Sequence, residues 1–221
     1  MRHEERVTAL AAASVVALML PGVAIAVLYP APPASSPEPF LAFLALHRSA
    51  LLASIFLAAL GWCGALCVFA GGLLSLLRRG DDSNVWPWIA FGACIATAVA
   101  IGVALTFLGT VVFCAPAIDP SLAAALYDAG GIANLMTAFP NAAYTIAAAI
   151  AIRRTAALPQ GLAWGAWAVA LIHLLSATSL ARAGLLSPWG LLPSLAPLSH
   201  TAWLAGIAAV LLRRPVSSRA R

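Results

Sequence analysis

Apolar residues in this chain fall into six long runs, separated by short segments that carry most of the charge and much of the proline. A helix needs roughly 20 apolar residues to cross a hydrocarbon core of ~30 Å. By that measure the runs predict spans at Val7–Tyr29, Leu44–Leu77, Trp88–Cys114, Ile132–Ile152, Gly161–Leu180 and Leu195–Leu212. Pro21-Gly22 predicts a kink in the first, and the second is longer than a membrane requires. The expected fold is all-α: one polytopic transmembrane helical bundle of about six spans, occupying residues 1–221 as a single domain.

The connections differ in character. Pro30–Pro39 (PAPPASSPEP) is expected to be extended and to have no core of its own. Asp119–Gly131 predicts one or two helical turns, with Pro120 at a permitted first-turn position. Gly184–Ser199 is apolar but broken by prolines, as expected of an interfacial or re-entrant segment anchored by Trp189.

Charge sets the orientation. With six spans, Arg2, Arg6, Arg78, Arg79, Arg153, Arg154, Arg213, Arg214, Arg219 and Arg221 all fall on one side, leaving Arg48 and Arg182 on the other. Basic loops mark the cytoplasm, so both termini are expected there. An odd number of spans would break this alternation. The first apolar run has features of a cleavable signal peptide, but its spanning length favours a retained helix.

Composition strengthens the membrane assignment and removes a rival. The chain is 63% apolar and only 9% charged, with a mean hydropathy of +0.98. Soluble domains are about 25% charged. The net charge of +5 comes from arginines at the ends of apolar runs, with no lysine. Nucleic acid is therefore not an expected partner, since that needs basic residues clustered on a polar surface. Cys63, Cys67, Cys94 and Cys114 lie in or beside apolar runs, where structural thiols are the expected state.

Polar side chains at membrane depth are the candidate sites, because their burial in lipid is costly. His173 lies 13 residues beyond Gln160, and His200 lies 13 residues before Arg213. At 1.5 Å per residue, both are about 20 Å from the inner boundary. Asn141 and Cys63 are expected at about 18 and 22 Å, in the same layer. Two histidines at one depth on consecutive helices have the arrangement of b-type haem ligands, or with Cys63 of a transition-metal site. The simpler expectation is that they hydrogen-bond a neighbouring carbonyl or Asn141 and fix helix register. Asn141 and Tyr144, beside Pro140, are the residues a small-solute transporter would use.

A second group, His47, Arg48, Asp128 and Arg182, is expected at the outer rim, as a headgroup site or as surface ion pairs. Asp128 and His47 are the acid and base an enzyme acting on lipid would need. No Ser-His-Asp spacing, HExxH, phosphate-binding loop or dinucleotide fingerprint is present, which points away from an enzyme.

Leu126–Ala156 (LYDAGGIANLMTAFPNAAYTIAAAIAIRRTA) and Leu158–Ala177 (LPQGLAWGAWAVALIHLLSA) resemble uncharacterised bacterial six-helix integral membrane proteins. The resemblance implies a six-span fold in the bacterial cytoplasmic membrane and carries no catalytic residues with it. The expected function is a non-enzymatic membrane protein that binds a small or lipidic ligand, or assists a membrane complex. Its expected partners are the lipid bilayer and a membrane protein or second copy. A haem or quinone redox component using His173 and His200 is the alternative, and a small-solute transporter the next.

Overall fold

The structure, a computed structural model, describes residues 3–28, 37–78, 83–115, 117–180, 187–188 and 190–214. Among these all regular structure is helical: α1 (His3–Leu28), α2 (Pro37–Leu46), α3 (Arg48–Ala59), a π-helical segment (Leu60–Ala65), α4 (Leu66–Leu77), α5 (Trp86–Cys114), α6 (Pro120–Met136), α7 (Ala138–Thr155), α8 (Gln160–Ser176) and α9 (Leu191–Leu212). Five helical stretches are long and apolar enough to cross a membrane: His3–Gly22, Arg48–Leu77, Trp86–Cys114, Pro120–Thr155 and Leu191–Leu212. The shorter α8 is a mostly apolar helix of 17 residues.

Several boundaries differ from the sequence reading, each for a local reason. The span predicted at Gly161–Leu180 ends as a helix at Ser176. There Thr178 N–H donates to the Leu175 carbonyl at 3.2 Å and Ser179 N–H to that of Ser176 at 3.0 Å, shorter-range bonds that tighten and end the last turn. The segment expected to hold one or two turns before Ile132 is instead the full helix α6. Asp119 caps it, accepting from the backbone N–H of Ser121 and Leu122, and Pro120 supplies the first helical φ. α2 already begins at Pro37, inside the stretch expected to be extended, and His47 separates it from the spanning helix that starts at Arg48. α9 starts at Leu191 rather than Leu195, so part of the proposed re-entrant segment is an ordinary helical continuation. Arg182 and Trp189 lie outside the described residues.

α7 is the centre of the bundle and packs on both α5 and α8. Its buried face is largely alanine (Ala142, Ala147, Ala148, Ala149 and Ala151), so neighbouring backbones approach closely. α1 packs against α4 and α9, which closes the ring. A smaller apolar cluster, Phe40 and Leu44 of α2 with Val111, Val112, Ala115 and Ala123, covers the far end of α5.

The other end is pinned by charge. Arg214 Nη1 lies 3.2 Å from Glu5 Oε1, and Nη2 donates to the Ala157 carbonyl at 2.5 Å. One side chain thereby joins the start of α1, the end of α9 and the α7–α8 turn. Ala156 makes that turn in the left-handed region, with φ 49°. Arg153 stacks over Trp164 at 5.5 Å and Arg78 over Trp88 at 5.0 Å.

Candidate functional site

Residues from four irregular or proline-bearing stretches border one cavity. Met19 stands just before Pro21 in α1. Trp62 belongs to the π-helical segment. Thr137 interrupts the path from α6 to α7, and Pro140 follows it. Pro193 and Pro197 sit in α9. Each proline removes a backbone donor, so Met136, Pro193 and Ala17 lose the usual i+4 partner of their carbonyls. Irregular backbone at membrane depth is tolerated where protein buries it or where it lines a cavity. π-helical turns, too, often occur at functional sites.

The cavity has a volume of about 190 Å³. Its apolar wall includes Met19, Trp62, Ile101, Leu105, Leu135, Pro193 and Pro197, and its polar groups are Asn134, Thr137, Asn141, His173 and Ser176. Among the described residues neither Asp, Glu nor Arg contributes to this wall. The hydroxyl protons already have acceptors: Thr137 Oγ1 donates to the Asn134 carbonyl at 2.6 Å, and Ser176 Oγ to that of His173. Asn141 Oδ1 and His173 Nε2 are different. Both are buried, and neither has a hydrogen-bond partner. An unsatisfied buried polar atom costs about 1–3 kcal/mol, so two on one wall call for an explanation.

His200 lies behind this wall, fully buried. Its ring centroid is 5.2 Å from that of Trp62, 5.5 Å from Tyr144, 5.7 Å from His173 and 6.0 Å from Trp203. The His173 and His200 planes are nearly perpendicular, at 88°. Tyr144 Oη and both ring nitrogens of His200 also lack hydrogen-bond partners. Trp203 closes the cluster and is itself satisfied, donating from Nε1 to the Leu162 carbonyl at 2.8 Å. Gly165 makes room for its indole: a Cβ there would stand 3.2 Å from Trp203 Cδ1.

The structure thus gathers Asn141, Tyr144, His173 and His200 into one neighbourhood, with Asn141 and His173 on the cavity and Tyr144 and His200 behind it. The fourth member of the expected layer, Cys63, donates instead to the Ala98 carbonyl of α5 at 3.3 Å and is not on the cavity wall. Among the described residues no three His, Cys, Asp or Glu side chains are placed to hold a metal ion.

Of the expected rim residues, His47, Arg48 and Asp128 are described. Arg48 Nε donates to the Phe113 carbonyl at 3.2 Å and its guanidinium lies over the Phe113 ring, tying α3 to the end of α5. His47 packs on Phe43 with ring centroids 4.8 Å apart. Asp128 is exposed on α6, and its neighbour Tyr127 meets Phe40 edge-on. Nearby, the Ser121 hydroxyl and then the backbone N–H groups of Leu122 and Ser121 hold the Asp119 carboxyl below its ordinary pKa.

Trp62, Met19 and Thr137 were not candidates in the sequence. The prolines at 21, 140, 193 and 197 were visible one by one, but no sequence feature places them around a common space.

No protein-family model, curated protein or solved structure matches this chain. The site must therefore be read from its own geometry.

Proposed function

We propose that this chain is an integral protein of the bacterial cytoplasmic membrane, with six crossings and both termini inside, that binds a small lipid-soluble molecule in its central cavity. The sixth crossing is α8, a mostly apolar helix whose 17 residues span about 26 Å at the helical rise. An even number of crossings is supported by the Glu5–Arg214 pair, which brings the start of α1 and the end of α9 together. The arginine distribution supports the inside assignment.

The observation that carries the binding reading is the pair of partnerless groups, Asn141 Oδ1 and His173 Nε2, on one largely apolar wall. A pocket lined by apolar side chains with a few polar groups is the usual form of a small-molecule site. Among the described residues His173 is the only acid–base group on the wall, which favours binding over catalysis.

The test is to identify small molecules released by solvent extraction from the purified protein, by mass spectrometry. A compound enriched with the native chain and depleted in folded Asn141→Leu and His173→Leu variants is the expected result. Identical extracts from all three would overturn the reading.

A redox component is the second reading, favoured by the contact between His173 and His200. Against haem stands the cavity of about 190 Å³, which is smaller than a macrocycle. An absorption spectrum, oxidised and then dithionite-reduced, separates the two. A Soret band lost in His173→Ala or His200→Ala would put the redox reading first.

A further inference from the structure

We infer that the cavity is built for an uncharged compound with one aromatic ring and a hydroxyl group, of the phenol or hydroquinone class. This rests on the reading of the cavity as a ligand site, and it follows from the size, charge and hydrogen-bonding of the wall.

Size comes first. An apolar cavity of about 150 Å³ holds benzene. The present cavity, at about 190 Å³, has room for one six-membered ring with a small substituent or two. Apolar atoms of Trp62, Pro193 and Pro197 border that space, and flat faces of this kind suit a ring.

Charge is the second restriction. Among the described residues no carboxylate or guanidinium lies on the wall, and His173 is its only titratable side chain. A charged ligand at this depth would meet no counter-ion among them, and the cost of desolvating it would exceed any gain from packing.

Hydrogen-bonding is the third. A hydrocarbon of the right size would leave Asn141 Oδ1 and His173 Nε2 sealed from water and unpaired. The wall offers both acceptors and donors: Asn141 Oδ1 is open, the oxygens of Thr137 and Ser176 have given their protons to backbone carbonyls, and the side-chain amides of Asn134 and Asn141 carry N–H groups. A hydroxyl, which donates and accepts through one atom, therefore matches it better than a group that only accepts. A phenolic hydroxyl donates to Asn141 Oδ1. His173 Nε2 accepts from a second hydroxyl, or donates to the same oxygen in its other tautomer.

The chemistry has two sources, a free phenol or the hydroquinone head of a membrane lipid. The experiment is a ¹⁹F NMR titration of the purified full chain in detergent, with protein-free micelles as the partition reference. The probes are 4-fluorophenol, fluorobenzene and 4-fluorobenzoate. Each added hydrogen bond contributes about fivefold in affinity. We expect 4-fluorophenol to bind about tenfold tighter than fluorobenzene, and 4-fluorobenzoate not to bind. Asn141→Leu, with helicity and melting retained, should bring the phenol-to-benzene ratio close to one. His173→Leu should lower it in the same direction. Displacement by tail-less hydroquinone would identify a free phenol as the source. Displacement only by an isoprenoid hydroquinone would identify a membrane lipid. Fluorobenzene binding as tightly as 4-fluorophenol would overturn the assigned class while leaving a ligand site in place. Absence of binding by all three probes to folded protein would overturn the ligand-site reading itself.

Discussion

The pinned end of the bundle and the cavity treat buried polar groups in opposite ways. At the pinned end the buried Glu5 carboxylate meets Arg214, which also donates to the Ala157 carbonyl. On and behind the cavity wall, Asn141 Oδ1, His173 Nε2, Tyr144 Oη and both nitrogens of His200 have no such partners. Both regions are surrounded by apolar helices, so burial alone does not explain the difference. A polar group whose task is to hold helices together is stable only when its partner is part of the fold. A group that recognises a ligand must keep its hydrogen-bonding capacity open, at a cost to the empty protein.

That contrast makes predictions of opposite sign. The largest effect is expected at Trp203, which borders the cavity cluster yet is fully satisfied. Trp203→Ala removes a buried indole and the Leu162 hydrogen bond, and should lower stability by about 3–5 kcal/mol. Unfolding in mixed micelles titrated with SDS measures it, and a loss below about 1 kcal/mol would mean that this cluster is loosely packed. Glu5→Gln should come next, with a loss of about 1–3 kcal/mol, because it removes the charge that faces Arg214. Asn141→Leu should do the reverse. It replaces an unpaired acceptor with an apolar group of similar volume, so the ligand-free protein should be unchanged or more stable by about 1–2 kcal/mol. Strong destabilisation by Asn141→Leu would break the comparison, since Asn141 would then be a structural group like Glu5.

The smallest effects separate two glycines four residues apart. Gly165→Ala pushes a methyl group against Trp203 and should cost about 1 kcal/mol. At Gly161 an added Cβ meets nothing within 4 Å, so alanine should be neutral or should add about 0.5 kcal/mol through helix propensity. Equal effects at both positions would mean that the indole seat on Gly165 is looser than it looks. Gly161 and Gly165 share a GxxxG spacing, yet only Gly165 has a neighbour that an added Cβ would meet.

Much of the candidate site was legible from residue counting. His173 and His200 were expected at one depth because each stands 13 residues from its helix end, and their rings are in contact. The same arithmetic placed Cys63 at a similar depth, but its side chain is not on the cavity wall. Depth is set by the rise along one helix, but the direction a side chain faces depends on rotation about the axis. The π-helical segment from Leu60 to Ala65 alters that rotation locally: Trp62 borders the cavity while Cys63 turns to the Ala98 carbonyl. The reading of α6 as one or two turns failed for another reason. Pro120 was recognised at a permitted first-turn position, but nothing in the sequence reading carried the helix on from there. In the fold Gly130 is buried in the contact with Leu108 and Phe107, and α6 runs through it.

What the sequence determined by itself was whatever each helix settles alone. An apolar environment requires every helix to satisfy its own backbone, so apolar length, proline positions and basic ends can be read locally. What only the tertiary structure decided was which irregularities meet. Four irregular or proline-bearing stretches distant in sequence border one space, Arg214 reaches across from α9 to Glu5, and two polar groups on α7 and α8 are left open towards the same cavity. Those relations depend on how helices are rotated and packed against one another. That packing is set by many weak contacts between small side chains, and no single stretch of the chain contains them.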